Sequence, residues 1–341
     1  MVAIKLVLAF FTGFVICYLL TPFVIKFAHI VGAIDVPKDN RRVHKQPIPR
    51  LGGLGIATAF SVGALIFGGV HKELIAILVA SSIIVLMGIV DDTKPLDAKP
   101  KLAIQILCAS IVVYSGVRID YLANVFTGHV MWLGYWAVPI SLFWIVGITN
   151  CINLIDGLDG LAAGISCIAA FTLASVSILN GYYVYGTIFM CLAGSTAGFL
   201  PFNFNPAKIF MGDTGSLFLG FILSVMAIEG TVKTVTLIAV IVPILALAVP
   251  IFDTTFAIIR RKLAGRPVME ADKGHLHHRL LDKGLSQKQT VLVLYAVSVL
   301  LGTSAVLITR LQVKIGILII CLDFLFITYS VYRLRILQKK D

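Results

Sequence analysis

Five aspartates stand where long apolar runs end, and they are the residues of this chain best suited to chemistry. Asp91 and Asp92 follow the third apolar run, Asp156 and Asp159 end the fifth, and Asp213 precedes the eighth. A carboxylate so close to hydrocarbon is costly unless it is paired, hydrated or bound to metal, so a functional site is the default interpretation. Asp91 and Asp92 alone could be a solvated helix end, but that explanation is poor for three acidic groups together.

The residues beside the aspartates point to close contact with a ligand. Asp156 and Asp159 share one face if their segment is helical, and the glycine after each favours close approach of the backbone to a ligand. Asp213 lies in Met-Gly-Asp-Thr-Gly-Ser at 211–216. These residues are typical of a tight turn and a helix cap, or of a helix N-terminus that offers N–H groups to phosphate.

Oxygen ligands without a nearby cysteine favour Mg²⁺ or Mn²⁺. We predict metal binding by Asp92, Asp156 and Asp213, and catalytic roles for Asp91, Asp92, Asp156 and Asp159. The predicted substrate-binding residues are basic, histidine and asparagine side chains: Lys45, Arg50, Lys101, Asn153, Asn203, His275, His277, His278 and Arg279. The loop containing the histidines lacks a zinc pattern. It fits a grip on phosphate or nucleotide, and the alternative is a loop lying on anionic lipid.

The composition requires lipid as the solvent for most of the chain. Of 341 residues, 59% are hydrophobic and 13% charged, and the mean hydropathy is +0.98, whereas a soluble protein is about one quarter charged. The net charge of +11 comes from short loops between apolar runs, which indicates membrane orientation and anionic ligands and gives no reason to expect nucleic acid. The six cysteines lie in or beside apolar runs, so we expect neither disulfides nor zinc.

The elements that must position the aspartates are transmembrane helices. We predict one all-α, polytopic domain over residues 1–341 with about eleven transmembrane helices, ten being the alternative. The apolar runs are 4–28, 51–70, 73–90, 101–117, 135–152, 161–180, 184–202, 215–229, 232–256, 290–309 and 312–332. Pro243 and Pro250 predict a kink or break in the ninth.

The basic residues predict the orientation of these helices. Alternate connections and the C-terminal tail carry 21 of the 28 Lys and Arg residues, and the opposite side carries six. The positive-inside rule therefore places the N-terminus outside and the C-terminus in the cytoplasm. The same topology brings all five aspartates to the cytoplasmic boundary of the membrane.

Four motifs in order resemble the polyprenyl-phosphate N-acetylhexosamine-1-phosphate transferase superfamily over nearly the whole chain. They are Asp91-Asp92 with Lys101, Asn-Leu-Ile-Asp-Gly-Leu-Asp-Gly at 153–160, Phe-Met-Gly-Asp-Thr-Gly-Ser at 210–216 and His-Leu-His-His-Arg at 275–279. The last motif resembles the WecA/TagO branch, whereas the MraY branch typically has consecutive histidines there.

The resemblance implies a bacterial cytoplasmic-membrane enzyme with UDP-N-acetylglucosamine as donor, undecaprenyl phosphate as acceptor, Mg²⁺ or Mn²⁺ as cofactor and UMP as by-product. This would be the first membrane step of a cell-envelope polysaccharide pathway. An MraY-type muramyl-pentapeptide donor, or another UDP-N-acetylhexosamine, is the alternative, and a homodimer stays open.

The acceptor phosphate is mostly dianionic near neutral pH because its second pKa is about 6. We therefore favour direct attack on the donor's β-phosphorus, although a two-step route through a phospho-aspartate is chemically allowed. A transporter is the main non-enzyme class, but it would place its ionisable groups near the bilayer midplane. A membrane scaffold, the third class, predicts no nucleotide binding.

Overall fold

The computed structural model describes residues 2–36, 47–123, 130–232, 240–265 and 274–334. These residues form an α-helical bundle with two short β-hairpins. The helices are α1 Val2–Val31, α2 Gly52–Gly68, α3 Lys72–Thr93, α4 Ala98–Ser115, α5 Ala137–Ile155, α6 Leu161–Leu179, α7 Tyr183–Asn203, α8 Gly212–Ala227, α9 Ile241–Ala246, α10 Ala248–Leu263, α11 Leu276–Asp282, α12 Gln287–Arg310 and α13 Val313–Arg333. The hairpins pair β1 Ile34–Asp35 with β2 Ile48–Pro49, and β3 Tyr121–Ala123 with β4 Val130–Trp132.

The prediction of an all-α, multi-pass membrane protein is confirmed. Within the described residues, nine helices are long and apolar enough to span a membrane, counting α8 with the π-helical turn that extends it to Thr231. The second apolar run forms α2, which has only 17 residues. The count of eleven and the orientation stay predictions.

The ninth apolar run is divided, as its prolines predict. Residues 233–239 lie outside the described residues, and the remainder forms α9 and α10 with Leu247 between them in a non-helical conformation. Pro250 lies in the first turn of α10, where a missing N–H costs little because it has no partner within the helix.

Helix α8 forms the centre of the bundle. Every residue from Gly212 to Ala227 except Asp213 is buried, and α8 packs against α2, α3, α5 and α6. A helix that is apolar on all sides can be enclosed in this way. Its N-terminus therefore lies in the middle of one end of the bundle, surrounded by the ends of its neighbours.

Candidate active site

The N-terminus of α8 is held by Asp92, at the end of α3. The Asp92 carboxylate accepts hydrogen bonds from the backbone N–H groups of Asp213 and Thr214, both at 3.0 Å, and from the Thr214 hydroxyl at 2.7 Å. These N–H groups have no partner within the helix, so a buried anion is well placed there. Arg50 Nη2 lies 3.4 Å from the same carboxylate.

Gly212 is required by this arrangement. Its φ is +70°, which is strained for any residue with a side chain. An added Cβ would also overlap the Arg50 carbonyl and the Asp92 carboxylate. The glycine of the 211–216 motif therefore serves the close packing of three chain segments around Asp92.

Lys101 bridges Asp91 and Asp213, the remaining carboxylates of the first and third acidic motifs. Its Nζ lies 2.9 Å from Asp213 Oδ2 and 3.3 Å from Asp91 Oδ2. The second Asp91 oxygen accepts from the Leu96 N–H at 2.8 Å. On the other side, Asn153 Nδ2 donates to Asp213 Oδ1 at 3.2 Å and to the Ser216 hydroxyl at 2.8 Å. Asp213 is therefore fixed by α4 and α5 together.

Asp156 differs from these aspartates. It follows the last residue of α5 and lines a cavity beside these residues, and no hydrogen bond or ion pair joins its carboxyl to another described residue. Burial, together with the charges of Asp213 and Asp92, raises its pKa to about 8, and Arg50 opposes the shift. A group in this state favours either a proton or a cation.

Asp159 binds the loop after α7. Its Oδ2 accepts from Asn205 Nδ2 at 2.9 Å and from the Ala207 N–H at 3.1 Å. Asn203 ties the same two segments together, because its Oδ1 accepts from the Gly160 N–H and its Nδ2 donates to the Ile209 carbonyl. Asn205 also donates to Gln287 of α12 at 2.7 Å.

The histidines stack at the edge of the site. The rings of His275 and His277 are parallel with centroids 5.8 Å apart, and His278 follows at 4.3 Å. His277 is buried over Gly157, and its ring nitrogens have no hydrogen-bond partner within the described part of the chain. Burial, followed by the neighbouring His278, lowers the pKa of His277 to about 3, so this ring is neutral.

These segments surround a cavity of about 790 Å³, a size suited to a nucleotide-sized ligand. Seven predicted site residues line it: Arg50, Asn153, Asp156, Asp159, Asn203, Asp213 and His278. The other described residues of the predicted set do not line it: Asp91, Asp92, Lys101, His275, His277 and Arg279. Lys45 lies outside the described residues. Their roles towards metal and substrate stay predictions.

The residues fit a divalent cation in their chemistry. Asp156 offers hard oxygens that have no donor, and Asp92 and Asp213 add negative charge close by. Asp92 and Asp213 are, however, held by N–H groups and Lys101. Within the described ranges no group of three or more His, Cys, Asp or Glu side chains is arranged so that it could hold a metal ion.

Sequence reasoning missed Asn205, Gln287 and Thr214 as partners in the site. Asn205 precedes a proline and Gln287 begins a helix, so both have ordinary local explanations in the sequence. Thr214 was considered only as a cap. The contacts that give these residues a role join segments far apart in the chain.

A model described as "Glycosyl transferase family 4" matches residues 74–231, which include all five aspartates. A Bacillus subtilis protein named "Probable undecaprenyl-phosphate N-acetylglucosaminyl 1-phosphate transferase" is 43% identical over 325 residues, covering 95% of this chain and 90% of its own length. The chain belongs to glycosyl transferase family 4.

Two further relatives place the chain within the family. "Decaprenyl-phosphate N-acetylglucosaminephosphotransferase" of Mycolicibacterium smegmatis is 37% identical over 321 residues, covering 85% of this chain and 79% of its own. A "Phospho-N-acetylmuramoyl-pentapeptide-transferase" of a Thermoanaerobacter species is 32% identical over 282 residues, covering 78% and 85%. The greater identity lies with the two N-acetylglucosamine relatives, and the resemblance to the WecA/TagO branch is confirmed.

Proposed function

We propose that this family 4 member transfers N-acetylglucosamine-1-phosphate from UDP-N-acetylglucosamine to undecaprenyl phosphate, giving undecaprenyl-diphosphate-N-acetylglucosamine and UMP. The observation that carries the proposal is the 43% identity along almost the whole chain to a relative named for this reaction. The gathering of five aspartates, Arg50 and Lys101 at one end of the bundle supports it.

The reaction joins two anions, so the site must first reduce their repulsion. Arg50 lines the cavity and is part exposed, so it can contact phosphate while keeping its ion pair with Asp92. His278 lines the same cavity from the histidine loop and can donate to phosphate or sugar oxygens. Lys101 forms ion pairs with both Asp91 and Asp213, which reduces the repulsion between these two carboxylates.

In the proposed step, an oxygen of the acceptor phosphate attacks the β-phosphorus, its P–O bond forms, and the bond from that phosphorus to UMP breaks. The C1–O bond of the sugar is untouched. Asp92, Asp156 and Asp213 would hold Mg²⁺ or Mn²⁺, which when bound neutralises charge on the pyrophosphate. The acceptor needs no general base because it is already mostly ionised.

We further propose that this end of the bundle faces the cytoplasm, because the positive-inside excess lies there. The experiment is UMP release by purified protein from UDP-N-acetylglucosamine, with and without undecaprenyl phosphate, in Mg²⁺ or excess EDTA. UMP release that needs both the lipid and the metal supports the proposal. Full turnover in EDTA would contradict the metal requirement. The absence of UMP release under every condition would contradict the proposed function.

A further inference from the structure

A buried carboxylate outside the cavity holds the beginning of the histidine loop, by which we mean residues 274–279, whose second part forms the start of helix α11. Asp253, on α10, is 3% exposed. Its Oδ2 lies 2.9 Å from His275 Nδ1, and its Oδ1 accepts from the Leu276 N–H at 2.7 Å. The tautomer that carries its proton on Nδ1 donates it to this carboxylate. The Leu276 N–H is at the start of α11 and has no partner within that helix, so Asp253 also caps α11.

The same face of α10 makes a second contact with this loop. Arg260 lies seven residues beyond Asp253, two turns along one side of the helix. Its guanidinium lies against Gly274, where an added Cβ would overlap it. Ala257, between the two, is buried. One side of α10 therefore contacts both Gly274 and the two residues that follow.

Helix α10 also packs against α5, which carries Asn153 and leads directly into Asp156. The histidine loop returns to the same place, because the His277 ring fills the space beside Gly157. Asp253 therefore lies on a helix that contacts both the histidine loop and the helix that leads into Asp156. A carboxylate in an apolar run is costly, and its two partners account for its presence.

We propose that Asp253 is a positioning residue for the transfer reaction, acting through His275 and the Leu276 N–H to set the histidine loop against the donor. This inference rests on the proposed function. Asp253 itself does not line the cavity, and both oxygens of its carboxylate are occupied by these two partners, so we assign it no direct role in the chemistry.

The kinetic test is Asp253→Asn. The amide keeps an oxygen for the Leu276 N–H, but its NH₂ group faces the His275 Nδ1–H, so the ring must change tautomer or turn away. We expect kcat/KM for UDP-N-acetylglucosamine to fall 10–100-fold, with the KM for undecaprenyl phosphate changed less than twofold. Asp323→Asn is the matched control, because Asp323 is also buried and bonds Ser304 away from the site. It should change neither constant more than twofold.

A double-mutant cycle separates positioning from a general structural role. Adding Asp253→Asn to His275→Ala should lower kcat/KM less than threefold further, because the His275 ring is already gone and the amide keeps an oxygen for the Leu276 N–H. Independent, multiplied losses would contradict the proposal.

Hydrogen exchange gives a measure that does not depend on activity. Asp253→Ala should raise amide exchange of residues 274–282 at least tenfold, whereas Asp323→Asn should leave it unchanged. Unchanged exchange in the Asp253 variants would overturn the proposal whatever the enzyme transfers. If exchange rises in the Asp253 variants but the wild-type protein shows no transfer, the proposed function is contradicted. Asp253 would then still be the residue that holds the loop.

Discussion

Asp92 accepts three hydrogen bonds whereas the Asp156 carboxyl accepts none from the described residues, so replacing each by Asn should change stability in opposite directions. Asp92 has no exposed side-chain surface and accepts three hydrogen bonds from the start of α8. An Asn there keeps one oxygen and turns an NH₂ group towards a donor. Losing one or two charge-assisted bonds, each about 1.5–3 kcal/mol, should lower the free energy of unfolding by roughly 2–5 kcal/mol.

Asp156→Asn should instead raise stability. Its carboxyl has no partner within the described residues and lies near Asp92 and Asp213, which with burial raises its pKa to about 8. Because the folded state holds the proton more tightly than the unfolded chain, ionisation destabilises the fold as pH rises from about 4 to about 8. Solvent in the cavity screens part of this effect, so we expect Asn to add about 1–3 kcal/mol at pH 8.

The assay is thermal unfolding of the solubilised protein in excess EDTA, from pH 5 to pH 8.5. The wild-type Tm should fall with pH across that range, and the Asp156→Asn curve should be flatter. Added Mg²⁺ should raise the wild-type Tm and not that of Asp156→Asn. Both variants should lose transfer a hundredfold or more. Equal Tm shifts of the same sign, or a destabilised Asp156→Asn, would refute this description of the two carboxylates.

Three further predictions follow from the site and the charge pattern. In a cysteine-free background, Lys283→Cys should be labelled only from the cytoplasmic side. Lys72 is 77% exposed at the opposite end of the bundle, so Lys72→Cys should be labelled only from outside. The reverse labelling pattern would show that the topology is inverted. Arg279→Lys keeps the charge but loses the planar guanidinium, whose Nε donates to the Gly274 carbonyl. The rate of transfer from UDP-N-acetylglucosamine should therefore fall tenfold or more. The wild-type enzyme should prefer this donor to UDP-muramyl-pentapeptide. If Arg279→Lys does not change the transfer rate, the loop has no role in donor binding and its remaining role is contact with anionic lipid. Direct attack predicts no labelled enzyme from β-³²P-labelled UDP-N-acetylglucosamine without acceptor, and a trapped phospho-aspartate would contradict it.

The sequence predicted the helices well because a transmembrane helix has a strong local signal. Long apolar runs correspond to α1, α3 to α8, α12 and α13, and the prolines of the ninth run predicted its break. Boundaries were less predictable: α8 begins at Gly212 rather than 215, because the Asp92 carboxylate satisfies its first N–H groups from another helix.

The site was predictable in its members but not in its connections. Motif order identified the aspartates and Lys101, and the structure brings them together. That Lys101 bridges Asp91 and Asp213, or that Asp159 binds the loop after α7, depends on how α3, α4, α5 and α8 pack. Asp253 lies within the ninth apolar run, 232–256, and nothing local in the sequence indicates that its partner is His275, 22 residues further along the chain.

The proposed reaction transfers the sugar together with one phosphate, so the fate of the donor's β-phosphate distinguishes it from transfer of the sugar alone. Purified protein would be given UDP-N-acetylglucosamine labelled with ³²P at the β-phosphate, undecaprenyl phosphate and Mg²⁺, and the products separated into lipid and nucleotide. The proposed function predicts that the label enters the lipid in equal amount to the N-acetylglucosamine, with unlabelled UMP released. Labelled UDP beside a lipid that carries the sugar without ³²P would show that the C1–O bond breaks instead, and would contradict it.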